Sequence, residues 1–561
     1  MKVKLPKELS GVKFPLVLTI DMNNFDIDLF LPALFFTILA QGHVKARQTN
    51  DPENIKSYID ALAQHPALQG FDMPAGRRVL ERLVRTTLIT TGGVGRASRG
   101  EQITSIVPYT LLAHKAGFPV ETSRQRRADT FLYQALLDKM YRADDRLQEK
   151  ITEIFGRGVI IGNLPELGGR YDNKTELDTL TRLSIAFLDG LQNTRTGLLI
   201  REKSIIPACP MLVDELATDL LLYLSGYYKL MPTQAFTYNL RALINFELFN
   251  YTLKLVYAIN QLVQDPETLP DAMGDQLKPS PPQLYLDFTL DARGYSQEMA
   301  KACVRRDIEA YQQFLPSVLR LRLLDRYAEQ LRNNTLRRAR VDAILDGSTA
   351  GPPYLQRLLL LQNDPTLNVH IQARAQVDEE LIRAVNRLPE DGDNEEALDW
   401  LDEITDVAET DIDRVINLLV EGQRDESISH FISWFWGVGG MKKPHGVLAG
   451  TIRRYSWRYA PSNDLLGVFV QVAAVRLSQQ GLQPIRLREF LAFLEERFGI
   501  LIDRPPDVFK GSEYTAAARD NLRAMLGRLR QMGIFRDLSD DFTVQRLHPP
   551  YAGTETIRVE A

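Results

Sequence analysis

Eight apolar residues, Phe236, Leu240, Leu243, Phe246, Phe249, Leu253, Val256 and Ile259, follow one another at steps of three and four. That spacing draws one apolar stripe along an α-helix, whereas the faces of a strand alternate at every second residue. A stripe this long needs a surface to pack on, and a candidate lies just before it. Pro207 and Pro210 introduce an apolar run from Met211 to Met231, and Pro232 and Thr233 break the chain before the next segment begins. The expected result is a helical hairpin at the centre of a core, its aromatic rings used for packing.

The same reading along the rest of the chain gives mostly helices. A short strand is expected within residues 14–28, and helices around 29–40, 53–64 and 75–88. A helix or helix pair follows over 123–155, and helical pattern returns from Ser296 to about Leu345 with a break near Pro316. Loops rich in glycine and proline fall at 156–174, 265–283 and 347–353. The expected fold is a mainly α multidomain protein with small β elements and a C-terminal winged-helix-like module. Its parts are a mostly helical N-terminal domain (1–155) with a basic glycine-rich loop, a central helical domain (156–346), an acidic helical linker region (347–426) and a basic, aromatic C-terminal module (427–561).

Charge narrows the function classes. The net charge is −5, so the whole molecule is not a general polyanion binder, and any nucleic-acid surface must be local. Two such clusters exist: Arg77 to Arg127 holds ten Lys or Arg against three acids, and Lys301 to Arg340 ten against four. The opposite bias lies between Asp378 and Asp413, with fifteen acids against two arginines. It reads as a solvated surface or a dock for a basic partner. Cys209 and Cys303 are the only cysteines, too few for a disulfide scaffold or a cysteine-rich metal site. The early apolar run from Leu29 to Ala40 is too short to span a bilayer and reads as a buried helix. A cytoplasmic location without membrane contact is expected.

The last 130 or so residues are the most legible. An aromatic helix with Phe431, Trp434, Phe435 and Trp436 ends at the glycines of 437–440. From Phe431 to Asn463 there is no Asp or Glu, while Lys442, Lys443, Arg453, Arg454 and Arg458 alternate with Tyr455, Trp457 and Tyr459. Lysines and arginines among aromatics suit phosphate contact and base stacking, or a basic face over a core. A helix from Asn463 to Gln480 follows, and a second carries Phe490, Leu491, Leu494 and Phe498 on one face. A third, about 515–532, turns Leu522, Met525, Leu526 and Leu529 inward and leaves Arg519, Arg523, Arg528 and Arg530 outside. Two short strands around a Ser-Asp-Asp turn close the module at 534–546. Helices followed by such a ribbon resemble a winged helix, whose last helix before the wing often enters the major groove. Arg523 and Arg530 are then the candidate base-reading residues. Asp537, Asp540 and Asp541 in the wing oppose phosphate contact and favour a protein partner.

Motifs for chemistry are weak. In the glycine loop at 92–100, Gly93 and Gly95 have the first spacing of a dinucleotide fingerprint, but Ser98 stands where the third glycine belongs. Gly95 and Gly100 have the glycine spacing of a P-loop, but Glu101 replaces its lysine. Backbone amides beside Arg96 and Arg99 still suit a phosphate; an ordinary basic turn is the plainer reading. The seven histidines form no zinc motif, and no nucleophile elbow occurs. No catalytic residue, cofactor, metal or defined small molecule is expected.

The stretches GMKKPHGVLAG (440–450), YAPSNDLL (459–466) and REFLAFLEERFGI (488–500), with the terminal strand pair and RGEQITSIVPYTLL (99–112), resemble helper proteins of multi-gene bacterial phage-defence systems, of the methylation-associated type. The resemblance implies an accessory subunit working beside a methyltransferase, an ATPase or a nuclease. The expected function is therefore an accessory or scaffold subunit of a DNA-directed defence assembly, with other protein subunits and DNA as partners. The alternative is a nucleotide-dependent enzyme or nuclease with non-standard motifs.

Overall fold

The computed structural model describes residues 3–25, 41–45, 69–83, 126–140, 144–155, 159–161, 169–171, 199–201, 206–387 (less 277, 279 and 290–292), 394–536 (less 442, 452–455 and 479–481) and 545–552, with isolated positions between 26 and 64 and residue 174. It divides into two compact units. One comprises residues 1–23, 205–216 and 245–550; the other comprises 24–204, 217–244 and 551–561. No helix among the described residues is long and apolar enough to cross a membrane.

The second unit joins short elements. They are strand β1 (His43–Lys45), helices α1 (Pro74–Leu83), α2 (Ala128–Lys139) and α3 (Asp144–Phe155), then strands β2 (Val159–Ile161), β3 (Gly169–Tyr171) and β4 (Leu199–Arg201). β1 pairs with β4 and β2 with β3, both antiparallel. The sequence expectation of a helix pair over 123–155 corresponds to α2 and α3. Of the early apolar run, Phe30, Leu31, Leu34, Thr37 and Ile38 are helical and buried. Two further helices follow, α4 (Pro210–Tyr227) and α5 (Thr233–Gln264), and each contributes to both units. Where α4 leads into α5, the rings of Tyr223 and Phe236 stack at 5.7 Å, as a hairpin of the two requires.

The first unit is built round α5 from Asn245 onward. Nearly every residue there is buried, polar ones included. A buried polar group costs stability unless it is bonded, and several of these are. Asn250 Nδ2 donates to Phe498 O (2.9 Å), Asn260 Nδ2 to Ala310 O (2.9 Å) and the Tyr257 hydroxyl to Asp307 (2.7 Å). Strand β5 (Leu284–Tyr285) leads into α6 (Tyr295–Leu331), then α7 (Thr335–Leu345), α8 (Gly351–Leu360), α9 (Pro365–Arg387), α10 (Asn394–Asp406) and α11 (Asp411–Val438). The break expected near Pro316 does not occur. α6 runs straight through that proline, and the next residue, Ser317, donates from Oγ to Gln313 O (3.0 Å) and to Asn260 Oδ1 (2.9 Å). Packing against α11 along its length holds the helix where propensity alone would interrupt it.

The acidic tract is only partly a solvated surface. Asp378 is buried on α9, where it accepts from the Tyr327 hydroxyl (2.9 Å) and Arg326 (3.1 Å), and the buried Glu379 pairs with Arg383 (2.8 Å).

The C-terminal stretch carries β6 (Leu448–Ala449), β7 (Arg458–Tyr459), α12 (Asn463–Leu477), β8 (Ile485–Arg486), α13 (Leu487–Phe493), β9 (Ile500–Leu501), α14 (Ser512–Gln531) and β10 (Arg546–Leu547). Ser462 caps α12 by accepting from Leu465 N, and a π-turn over Leu494–Phe498 extends α13. β10 pairs antiparallel with β8, and Phe535, just after α14, bridges to Leu547. β9 pairs in parallel with β5, from 215 or so residues earlier, which ties this stretch into the first unit.

Candidate functional site

The residues that shape the site begin at α14. Its inward face is the one expected from sequence: Leu522, Met525, Leu526 and Leu529 are buried. Asn521, also fully buried, fixes the helix to the neighbouring chain. Its Oδ1 accepts from Phe288 N (2.7 Å), and its Nδ2 donates to Leu286 O (2.8 Å) and Ile502 O (3.0 Å). One side chain thus satisfies backbone groups of the segments that follow β5 and β9.

Asp287 sits beside this clamp with no exposed surface. Its Oδ1 accepts from Thr289 N (3.0 Å), Thr289 Oγ1 (2.7 Å) and Ser296 Oγ (2.7 Å), and Arg458 Nε lies 3.6 Å from Oδ2. Arg528 of α14 donates to Pro461 O (3.2 Å) and Phe288 O (3.0 Å) and covers the Phe288 ring at 5.4 Å. Burial, with Arg458 nearby, lowers the pKa of its guanidinium, although Asp287 counters the shift.

Above this polar layer lies a groove of 930 Å³. One wall is the outer side of α14; the other is made by Thr289, the start of α6 at Gly294 to Ser296, and Asn463 at the start of α12. Of the eight α14 residues on the groove wall, six, Glu513, Ala517, Asp520, Ala524, Gly527 and Gln531, follow at steps of four, three, four, three and four, with Ala516 and Arg528 beside them. Those steps form a straight seam on a helix. Three of the polar lining side chains are turned away from it: Thr289 and Ser296 donate to Asp287, and Arg528 of α14 itself donates to carbonyls. The α14 seam gives the open space three small residues, with Glu513 at one end, Asp520 within the row and Gln531 at the other end. Across the mouth, Tyr295 and Tyr514 meet edge to face at 5.2 Å, and Glu298 accepts from the Tyr514 hydroxyl at 3.4 Å.

The sequence candidates scatter around this groove. Arg458 is half-buried and directed at Asp287. Arg523 is exposed and pairs with Asp520 (2.7 Å), and Arg530 lies over the Phe535 ring at 5.3 Å. Lys443 occupies the turn between Gly440 and Gly446, with its N–H donating to Gly440 O (2.9 Å). Lys442, Arg453 and Arg454, like Gly93, Gly95, Arg96 and Arg99, lie outside the described residues. Of the aromatics between the basic residues, Trp457 and Tyr459 belong to the core, where the Tyr459 hydroxyl donates to Asp307 (2.6 Å), and Tyr455 lies outside the described residues. Burial raises the Asp307 pKa above the ordinary carboxylate range, against the pull of Arg306. Among the described residues, no three His, Cys, Asp or Glu side chains gather as a metal site would require.

Sequence reasoning missed the seam. Its signal, the alternating three and four spacing over 513–531, is visible, but alanine and glycine carry too little hydrophobicity to mark a face.

Against known proteins, the family model of methylation-associated defense system protein MAD7 matches residues 7–551. No curated protein and no solved structure matches the chain.

Proposed function

The chain belongs to this family of phage-defence proteins, and from that membership we propose that it is an accessory subunit that joins partner proteins through its C-terminal module. Belonging to a defence system of several genes already suggests protein partners. The finer reading takes the module as a winged helix used for docking. The strand pairing supports it: β8 precedes α13 and α14, β10 returns beside β8, and Phe535 bridges to β10 on the segment after α14. α14 is then the helix that a DNA-binding winged helix would present to the major groove.

The observation that carries the docking reading is the outer seam of α14. It holds Glu513, Ala517, Asp520, Ala524, Gly527 and Gln531, none of them basic, while Arg528, the basic α14 residue that also lines the groove, is held by backbone carbonyls. Carboxylates on that face repel phosphates, whereas small residues let another protein surface approach closely. Co-expression of this chain, tagged, with the other subunits of its system should give a stable complex. A strictly solitary monomer under every combination overturns the reading.

DNA contact is the second reading, favoured by the exposure of Arg523 on the flank of α14. Lys442, Lys443, Arg453, Arg454, Arg458, Arg523 and Arg530 are its candidate residues. Fluorescence anisotropy across a salt series tests it. Replacing Arg453 and Arg454 should weaken binding to all sequences alike, and replacing Arg523 and Arg530 should alter sequence preference. No binding of single- or double-stranded DNA at low salt removes it.

A further inference from the structure

On the premise that the chain is a docking subunit, we infer that the α14 groove receives a single α-helix of a partner protein, one that carries a narrow apolar seam flanked by lysine or arginine. Three observations converge on a helix as the occupant. First, the wall residues Glu513, Ala517, Asp520, Ala524, Gly527 and Gln531 keep the alternating four and three spacing over the whole helix. This is the spacing by which one helix receives the side chains of another along a shared seam. From 513 to 531 it runs about 27 Å at the rise of an α-helix.

Second, the floor is small at the centre of the seam, and nothing among the described residues requires it to be. Gly527 lies inside α14 with ordinary helical geometry, and a Cβ added there meets no atom within 4 Å. Glycine inside a helix is less stable than alanine, so packing and conformation both leave its presence unexplained. Space for an incoming side chain accounts for it. Ala524, one turn earlier, widens the same space.

Third, the charge at the groove selects the occupant. Glu513 and Asp520 stand on the seam, Asp520 paired with Arg523 on its flank (2.7 Å). The one cationic lining residue, Arg528, spends its terminal nitrogens on Pro461 O and Phe288 O. A second copy of α14 packed in parallel would bring Glu513 and Asp520 against their own counterparts, so parallel self-association through this seam is disfavoured. A basic helix meets the same carboxylates with opposite sign, which steers it and fixes its register. A polar small molecule is a poorer fit, because Thr289, Ser296 and Arg528 direct their donors away from the open space.

The test uses the full-length chain co-expressed with the other protein subunits of its defence system. A photo-crosslinking residue replaces Ala524, or Arg519 outside the groove as a control, and affinities are measured for the purified partner. The expected crosslink from position 524 falls on a helical segment rich in lysine or arginine; position 519 gives none to that segment. Gly527→Leu should weaken partner binding about tenfold or more, as overfilling a packed seam does, with no loss of thermal stability. Glu513→Lys with Asp520→Lys should weaken it comparably at low salt and less at high salt. Gly527→Ala, a smaller filling that also favours the helix, controls for folding. If the complex forms and Gly527→Leu binds as the wild type does, the groove is not the dock, while the accessory-subunit reading stands. A crosslink to a second copy of this chain, or to an acidic segment, also overturns the inference. Absence of any complex overturns both.

Discussion

Lys254 offers the sharpest test of how this core is held together. It lies on α5 with 1% of its surface exposed, and its Nζ donates to Arg497 O at 2.8 Å. Arg497 in turn pairs with Glu247 (2.9 Å) and approaches Glu215 (3.8 Å), which Arg476 also holds at 2.5 Å. Burial first, then the Arg497 charge, lower the lysine pKa to about 7, with Glu247 and Glu215 acting in the opposite direction. The unfolded chain keeps the ordinary value of 10.5. Below pH 7 both states carry the proton and the fold bears the full cost of a buried ammonium. Between pH 7 and 10.5 the unfolded state holds the proton more tightly, so stability rises by about 1.4 kcal/mol per pH unit. From pH 7 to 9 the gain is about 2 kcal/mol, because at pH 7 the slope has reached only half its full value. Above pH 10 the buried tyrosines reverse the trend. Burial holds the pKa values of Tyr311 and Tyr459 above the ordinary one, so their contribution is lost once the unfolded chain ionises. Urea unfolding followed by tryptophan emission suits the test, because Trp434 donates to Thr252 on the same helix (3.0 Å). Lys254→Met should flatten the rise between pH 7 and 9. A wild-type profile already flat in that window, or an equal rise in the variant, refutes the argument.

Asn521→Ala should cost about 3 to 5 kcal/mol in urea unfolding, since it strands one buried N–H and two buried carbonyls. Asp378→Asn breaks a buried charge-assisted bond to Arg326 and should cost about 1.5 to 3 kcal/mol, whereas neutralising the exposed Asp399 should stay within about 0.5 kcal/mol. An equal response to the two would mean that the acidic tract is uniformly solvated. Gly527→Ala should raise stability by about 0.5 to 1 kcal/mol, because it adds helix propensity at a site with room for the methyl; a lower melting temperature would show that the groove is already filled from within.

Periodicity made the helices legible, and its failures have physical causes. The stripe on α5 was visible, but Asn250, Lys254 and Asn260 are not part of it. They are buried because their partners, Phe498 O, Arg497 O and Ala310 O, come from elements between 50 and 248 residues away. No local pattern carries that information. Pro316 misled for a related reason: propensity is a weak preference, and packing against α11 outweighs it. On α14 the inward leucines and Met525 followed from spacing alone. The aromatics between the basic residues did not reveal their direction, since Trp457 and Tyr459 fit a base-stacking surface as well as a core until the position of Asp307 is known.

The two faces of α14 separate protein from DNA recognition more clearly than composition does. A recognition helix usually reads bases from its N-terminal turns. Here those turns hold Ser512, Glu513, Thr515 and Ala516, and Glu513 places a carboxylate where phosphates would approach. The arginines come later: Arg519, Arg523 and Arg530 lie on the flank of the seam, and Arg523 is already paired with Asp520. A partner helix seated on the seam would leave that flank uncovered. Protein docking and backbone contact therefore need not compete for the same residues. On the proposed docking reading the acids of the seam serve a basic partner helix, and on the DNA reading they oppose the phosphates.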